Sequence, residues 1–397
     1  ERSIGLGDRL GIATIGHIHA FEGYDAYPVF AQQSIRELTL TERTFADVLD
    51  CVTFNVFEEG YKKGFGADGD HLKKESELEY ALSTGYTMIT LDCSEHIRSD
   101  VGLSFGEIKE KVKLTNELKE RYLNRVFEIE GHELVFTEED LLRCEYIYGD
   151  ALQFAIKIYQ KYLQDGKADF EISIDETSTP TTPLQHYFVA NELSYAKVDI
   201  TTLAPRFCGE FQKGVDYIGD LKQFEQELIV HCAISRYFGY KLSIHSGSDK
   251  FSTFPFIGKY TKGRFHVKTA GTSWLEAMKV VAMCDPSLYR EVHKFALAKF
   301  NDATKYYHVT TNINNIPNVD TLKDEELVSL FKNNDARQLI HITYGFILTT
   351  KDTNDKYLFK DRLYQLWDKE LAEYNLALKN HIGHHLELLY QGFGGKK

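Results

Sequence analysis

The feature that most constrains this chain is an alternation of short β-rich runs with longer stretches of helical periodicity, repeated about eight times. The candidate strands are 11–16 (GIATIG), 64–68 (GFGAD), 87–92 (TMITLD), 170–175 (FEISID), 198–203 (VDITTL), 241–245 (KLSIH), 264–268 (RFHVK) and 338–344 (QLIHITY). Helix-like segments fall near 43–62, 73–84, 138–164, 183–193, 220–238, 272–306 and 323–334, with more helix at 355–390. Several strands are continuously apolar, as strands covered on both faces are. Eight strands alternating with helices predict an α/β fold, a (β/α)8 TIM-type barrel rather than a doubly wound sheet.

About 75 residues separate the third and fourth candidate strands, and they contain VFEIEGHELVF, which alternates around a Glu-Gly turn signal. This reads as an inserted hairpin with helices at about 97–168. No Pro- or Gly-rich linker interrupts the chain and no internal repeat appears beyond the alternation, so one barrel domain is assigned to 1–397.

Charge excludes some partners. Lys plus Arg number 46 against 59 Asp plus Glu, a net charge of -13 without a long run of either sign. That argues against nucleic acid or an anionic membrane, while leaving room for a local basic pocket. The six cysteines contain no C-x-x-C pair and read as buried thiols of a reducing compartment. No apolar run reaches the ~20 residues of a membrane span, and the N-terminus lacks signal-peptide character, so a cytoplasmic address is expected. The chain opens on Glu1 rather than Met, and a preceding segment is expected too.

Active sites of such barrels lie at the C-terminal ends of the strands. Ionisable residues gather there: Asp68, Asp70, His71 and Lys73 after the second run, Asp92, Glu95 and His96 after the third, Asp175 and Glu176 after the fourth. Arg206 and Glu210 follow the fifth, and His245, Ser246, Ser248, Asp249 and Lys250 the sixth; His266 and Lys268 lie on the seventh, His341 and Tyr344 on the eighth. Adjacent Asp70 and His71 can send one side chain to a metal and the other to a substrate proton, although Asp70 is equally suited to capping the next helix. His245 lies in IHSGSDK, whose small residues let backbone N–H groups approach an anion. Two imidazoles from distant strands suit a divalent cation, and a third ligand is then needed, for which Glu210 and His266 compete, with Glu210 slightly preferred. Asp175 and Glu176 are candidates for an acid or base tuned by a nearby metal. The pair His384 and His385 reads as a solvated helix face, and no Walker loop, G-x-S-x-G elbow or H-E-x-x-H is present.

The segments GLGDRLGIAT, VFAQQSIRE (29–37), GFGADGDHLK (64–73), ISIDETSTPTTPLQHYFVANEL (172–193), LAPRFCGEFQKGVDYIGDL (203–221), SIHSGSDKFS (243–252), HVKTAGTSWLEA (266–277) and QLIHITYG (338–345) resemble the tagaturonate epimerase family. The blocks keep one order and cover nearly the whole chain. The resemblance implies a divalent-metal-dependent enzyme interconverting D-tagaturonate and D-fructuronate, with Zn, Mn, Co, Fe or Ni compatible, and with additional N-terminal sequence. The inverted carbon is β to the ketone, so loss of an α proton cannot invert it, whereas retro-aldol cleavage and re-formation can. Class II aldolases are similar here: GDH at 69–71 and HSGS at 245–248 resemble their segments, with Ser246 in place of a Gly.

By that analogy, His71 and His245 are metal ligands, Asp70 accepts the hydroxyl proton, and Asp175 or Glu176 is the opposing donor. Lys73, Arg206, Lys250 and Lys268 compete for the substrate carboxylate, with Arg206 able to bind it bidentately. Gln32, Gln33 and Tyr344 are expected hydroxyl contacts, and Ser246, Asp249 and His266 complete the expected substrate pocket. The partner is then a small sugar acid, and a homo-oligomer is compatible with the reading. Alternatives are a class II type aldolase or ketose isomerase on a related acid, or a silent barrel that senses sugar acids.

Overall fold

Parallel pairing of Ser3–Leu6 with Phe265–Thr269 closes the main sheet on itself in the computed structural model, which describes residues 2–395. The barrel strands are β1 (Ser3–Leu6), β2 (Tyr27–Ser34), β3 (Gly66–Leu72), β4 (Met88–Asp92), β5 (Asp169–Ile174), β6 (Thr202–Pro205), β7 (Lys241–Ile244) and β8 (Phe265–Thr269), each hydrogen-bonded to its neighbours in sequence. The register Ser3↔His266 to Leu6↔Thr269 on one side of β1, and Ser3↔Tyr27 on the other, completes the ring. The expected (β/α)8 barrel is therefore the observed one.

Six of the expected strands are barrel strands, and two are not. The run 11–16 leads into the helix Thr14–Ala20, and 338–344 lies mostly in the helix Asn334–Ile342. Both runs are largely buried, and over so few residues periodicity alone cannot tell a buried helix from a covered strand. Their places in the ring are taken by β1, four residues long, and β2. Because β2 enters the count, the insertion lies between the fourth and fifth barrel strands. It carries the antiparallel hairpin Val126–Ile129 and His132–Val135, then the helix Glu138–Tyr162, opened by a Thr137–Asp140 capping box.

Polar residues alternate into the barrel interior. Gly5 has no side chain because Gln32 crosses at its position: a Cβ there would stand 1.6 Å from Gln32 Oε1. The Gln32 amide instead donates to the Thr269 carbonyl at 3.0 Å, stitching β2 to β8. Outside, one hydrophobic cluster lies between strands and helices, and a second joins the helices of 272–378 around Trp274 and Trp367. The helix Leu371–Phe393 spans the two: Leu378 belongs to the second cluster, and Ile382, Leu386 and Leu389 to the first. Each such fully buried aliphatic side chain contributes roughly 1.5–3 kcal/mol. That helix packs on Thr14–Ala20 so closely that a Cβ at Gly16 would lie 2.7 Å from Leu378.

All six cysteines are free, and no helix among the described residues is long and apolar enough to cross a membrane.

Candidate active site

A cavity of about 280 Å³ opens at the C-terminal ends of the strands, close to the small end of the ~300–1,000 Å³ typical of ligand clefts. Asp70 and His71 reach it from β3, Asp175 and Glu176 from the end of β5, His245 and Ser246 from the end of β7, and Lys268 from β8. His71 and Ser246 adopt left-handed backbone conformations, with φ of 50° and 49°. Non-glycine residues are held this way at a cost of order 1–3 kcal/mol, and such strain concentrates at functional sites.

The two imidazoles meet. Their ring centroids are 4.8 Å apart at an interplanar angle of 71°. Each has one nitrogen engaged by a buried carboxylate behind it: His71 Nδ1 lies 3.2 Å from Asp92 Oδ2, and His245 Nε2 lies 2.6 Å from Glu171 Oε1. Asp92 is itself fixed by the Ser94 backbone N–H at 2.8 Å. The other nitrogens are left for the cavity. His245 Nδ1 is buried without a hydrogen-bond partner, 3.2 Å from Asp175 Oδ1. Ligand atoms of His71, Asp175 and His245 all lie within 4.8 Å of one another. A carboxylate that orients an imidazole from behind is the usual outer support of a histidine metal ligand, so this donor set fits a divalent cation.

A second grouping, His71 with Asp92 and Glu176, fits less well. The Lys73 ammonium already stands there, 3.5 Å from Asp92 and 3.7 Å from Glu176. A third, Asp249 with His381 and His385, is internally satisfied: His385 Nε2 accepts from the Asp249 backbone N–H at 3.0 Å, and Asp249 binds His381 Nε2 at 2.6 Å and Arg337 at 2.8 Å. His385 is thus buried in a structural network rather than solvated as expected, while His384 is exposed.

Beneath the imidazoles, Lys268 Nζ contacts Asp68 at 2.7 Å, Asp70 at 2.7 Å and Glu171 at 2.9 Å. Burial opposes the lysine charge, yet these carboxylates hold its pKa well above the usual value. One ammonium cannot answer three carboxylates, and burial pushes Asp68 up to about 6, making it the member that takes a proton most readily. Burial also disfavours charge on His71 and His245, but Asp70 and Asp92 hold the first up at about 9, and Asp175 and Glu171 the second at about 10. Asp68, Asp70, Asp92 and Glu171 are all buried, and they are offset here by Lys268 together with the charged imidazoles of His71 and His245; a dication would take over the imidazoles' share of that charge.

The structure separates the other expected site residues. Glu210 lines the cavity but turns to Arg206, 3.9 Å away, and does not join the imidazoles; Asp175 stands where a third ligand was expected. His266 lies two residues below Lys268 on the same face of β8, hence one layer deeper in the barrel, where it bonds Ser3 Oγ at 2.9 Å. Gln32 lines the cavity and Gln33, the next residue on the strand, points the other way. Tyr344 belongs to the helix Tyr344–Thr349, behind the wall, bonded to Tyr307 OH at 2.8 Å with Arg9 over its ring. Lys250 is spent on the carbonyls of Gln212, Val215 and Ser248, and Asp249 on the His381 network. Lys73 is spent on Asp92 and Glu176.

Some wall residues carried little signal in the sequence. Arg9, Arg36 and Lys213 line the cavity from segments outside any expected strand end. Glu171 had a signal: with Ser173 and Asp175 it marks every second position of β5, the inward face.

A closed parallel barrel whose strand ends gather imidazoles, carboxylates and a buried lysine around one cleft belongs to the (β/α)8 enzyme class. Residues 1–389 match the model of the tagaturonate epimerase family. The chain is 45% identical over 393 residues to the tagaturonate/fructuronate epimerase of Thermotoga maritima, covering 98% of this chain and 80% of that protein. It is also similar to crystal structures of the fructuronate-tagaturonate epimerase UxaE from Cohnella laeviribosi, native and glycerol-complexed, with 52% identity, a TM-score of 0.96, and coverage of 98% of this chain and 81% of that one. The chain belongs to the tagaturonate epimerase family.

Proposed function

We propose that the chain is a divalent-metal-dependent epimerase that interconverts D-tagaturonate and D-fructuronate by retro-aldol and aldol steps. One observation carries the metal part of the reading: two imidazoles 4.8 Å apart, each held from behind by a buried carboxylate, with His245 Nδ1 facing Asp175 Oδ1 at 3.2 Å. His71, His245 and Asp175 would hold the cation, which supplies a Lewis acid for the negative charge that develops on substrate oxygens.

The remaining chemistry belongs to side chains. Inversion at the carbon β to the ketone requires the β-hydroxyl to lose its proton as the adjacent carbon-carbon bond breaks, giving an enediolate and an aldehyde. The aldehyde presents its other face, the bond re-forms, and the proton returns. Asp70 is the acceptor: the Lys268 ammonium 2.7 Å away overcomes its burial and holds it ionised. Glu176 is the second acid-base group, because Asp175 is committed beside the imidazoles, and a Glu176 oxygen lies within 4.8 Å of the ligand atoms of His71 and Asp92. The walls keep the two fragments together between cleavage and re-formation, the condition that separates an epimerase from an aldolase.

The test is conversion of D-tagaturonate followed by NMR, before and after chelator treatment and again after metal is returned. D-fructuronate should appear, vanish with the metal and reappear with it. Accumulation of free three-carbon fragments would indicate an aldolase instead, and binding of sugar acid without turnover, by a metal-free protein, would indicate a sensor.

A further inference from the structure

The cations around the mouth are nearly all answered within the protein. Lys268 has three carboxylates, Lys73 has two, and Arg9 has Glu37 at 3.1 Å and the His341 carbonyl at 3.1 Å. Arg206 donates to the Thr177 carbonyl and faces Glu210, and Arg36 faces Glu176 at 3.9 Å while lying over the Tyr307 ring. Lys213 differs. Its ammonium donates to the neutral Ser246 hydroxyl at 3.0 Å and forms no ion pair among the described residues.

Lys213 is nevertheless half-buried in the cavity wall, in fields of both signs: Arg36 and Arg9 oppose its charge, while Glu37 and Glu176 favour it without reaching ion-pair distance. Burial first, and then Arg36, lower its pKa. A cation so placed is stabilised by the arrival of an anion. Its segment is clamped on both sides: the Lys213 carbonyl accepts from Gln338 Nε2 at 3.1 Å, the Gly214 carbonyl accepts from Arg337 Nε at 2.7 Å, and the neighbouring Gln212 side chain accepts through Oε1 from the Thr310 N–H at 3.0 Å. The Ser246 that holds the ammonium directly follows His245 and takes the left-handed conformation that turns its hydroxyl toward the cleft. The pairing therefore sets a positive charge one residue from a candidate metal ligand, preorganised before any ligand arrives.

We propose that Lys213, steadied by Ser246, is the subsite for the carboxylate of the substrate, and that it makes this pocket select sugar acids over uncharged sugars. The proposal rests on the site being a sugar-acid pocket, and it replaces the lysines and arginine that the sequence offered for the same role, each of which is engaged elsewhere.

Calorimetric titration of the metal-loaded protein with D-galactonate and with galactitol, a charged and an uncharged probe of similar size, tests it without turnover. The wild type should bind galactonate at least ~10-fold more tightly, as a charge-assisted hydrogen bond in a partly buried site allows. Lys213→Gln should bring the two affinities within about threefold, and Lys213→Arg should restore much of the preference. In turnover, Lys213→Gln should raise KM for D-tagaturonate ~10- to 100-fold with a smaller effect on kcat. A wild type that binds both probes alike overturns the subsite even if the variants prove unstable, and so does a folded Lys213→Gln that keeps the preference. Failure of the wild type to convert D-tagaturonate would count instead against the epimerase reading, since the binding preference is measured separately.

Discussion

Lys268 Nζ and Asp70 Oδ1, 198 positions apart in sequence, lie 2.7 Å from one another and tie the end of β8 to the end of β3 across the barrel. The same ammonium also answers Asp68 and Glu171. Lys268→Met would leave three carboxylates without their counter-charge. Breaking a buried ion cluster by removing one partner costs about 3–5 kcal/mol. The expected outcome is a loss of that order in chemical denaturation at neutral pH, shrinking as the pH falls and the stranded carboxylates take up protons.

Asp70→Asn and His71→Ala should fail differently. The first removes a proton acceptor and leaves the imidazole donors, so metal content should persist while turnover falls ~10²- to 10⁴-fold. The second removes a donor, so metal and turnover should be lost together. Elemental analysis beside NMR assays separates the two, and equal metal loss in both variants would remove Asp70 from its assigned role.

Asp92→Asn addresses the support behind His71. The amide keeps the size of the carboxylate and loses its charge, and outer partners of this kind typically change metal affinity ~10- to 100-fold. Competition against a chelator should read a weakening in that range, with the fold intact by circular dichroism.

The acid limb of stability should come largely from imidazoles far from the mouth. Burial lowers His17 to about 4, against partial compensation by Asp8, and lowers His231 to about 3. In the unfolded chain both protonate below pH ~6.5. The folded state then binds fewer protons, so their contribution is complete above that pH and is lost as the pH falls toward 4 and 3, by up to about 1.4 kcal/mol per pH unit for each group. His17→Gln should flatten that slope in denaturant titrations between pH 6.5 and 4; an unchanged slope would mean that His17 protonates equally in both states.

What the sequence disclosed follows from what local patterns encode. His71 and His245 were readable because each sits at a strand end beside small or acidic residues, and strand ends of a barrel converge whatever the intervening chain does. That Asp175 rather than Glu210 lies beside the imidazoles was not readable, because it depends on how two loops turn after β5 and β6. Helix Asn334–Ile342 passed for a strand because its exposed and half-buried residues, Asn334, Asp335 and Arg337, all precede the run 338–344, which shows only buried positions. Lys213 was invisible for another reason: its meaning lies in lacking a carboxylate, and such a vacancy exists only after every other charge has been placed.

The contact of Asp249 with His381 and Arg337 has a consequence for biosynthesis. The loop that follows His245 is anchored by residues made more than 80 positions later. A nascent polypeptide emerging from the ribosome can pair its strands early and tie Lys250 back to Gln212 and Val215, yet Asp249 lacks its His381 partner until the helix Leu371–Phe393 has cleared the exit tunnel. The final setting of this loop should therefore be completed late in translation, after the barrel scaffold has formed.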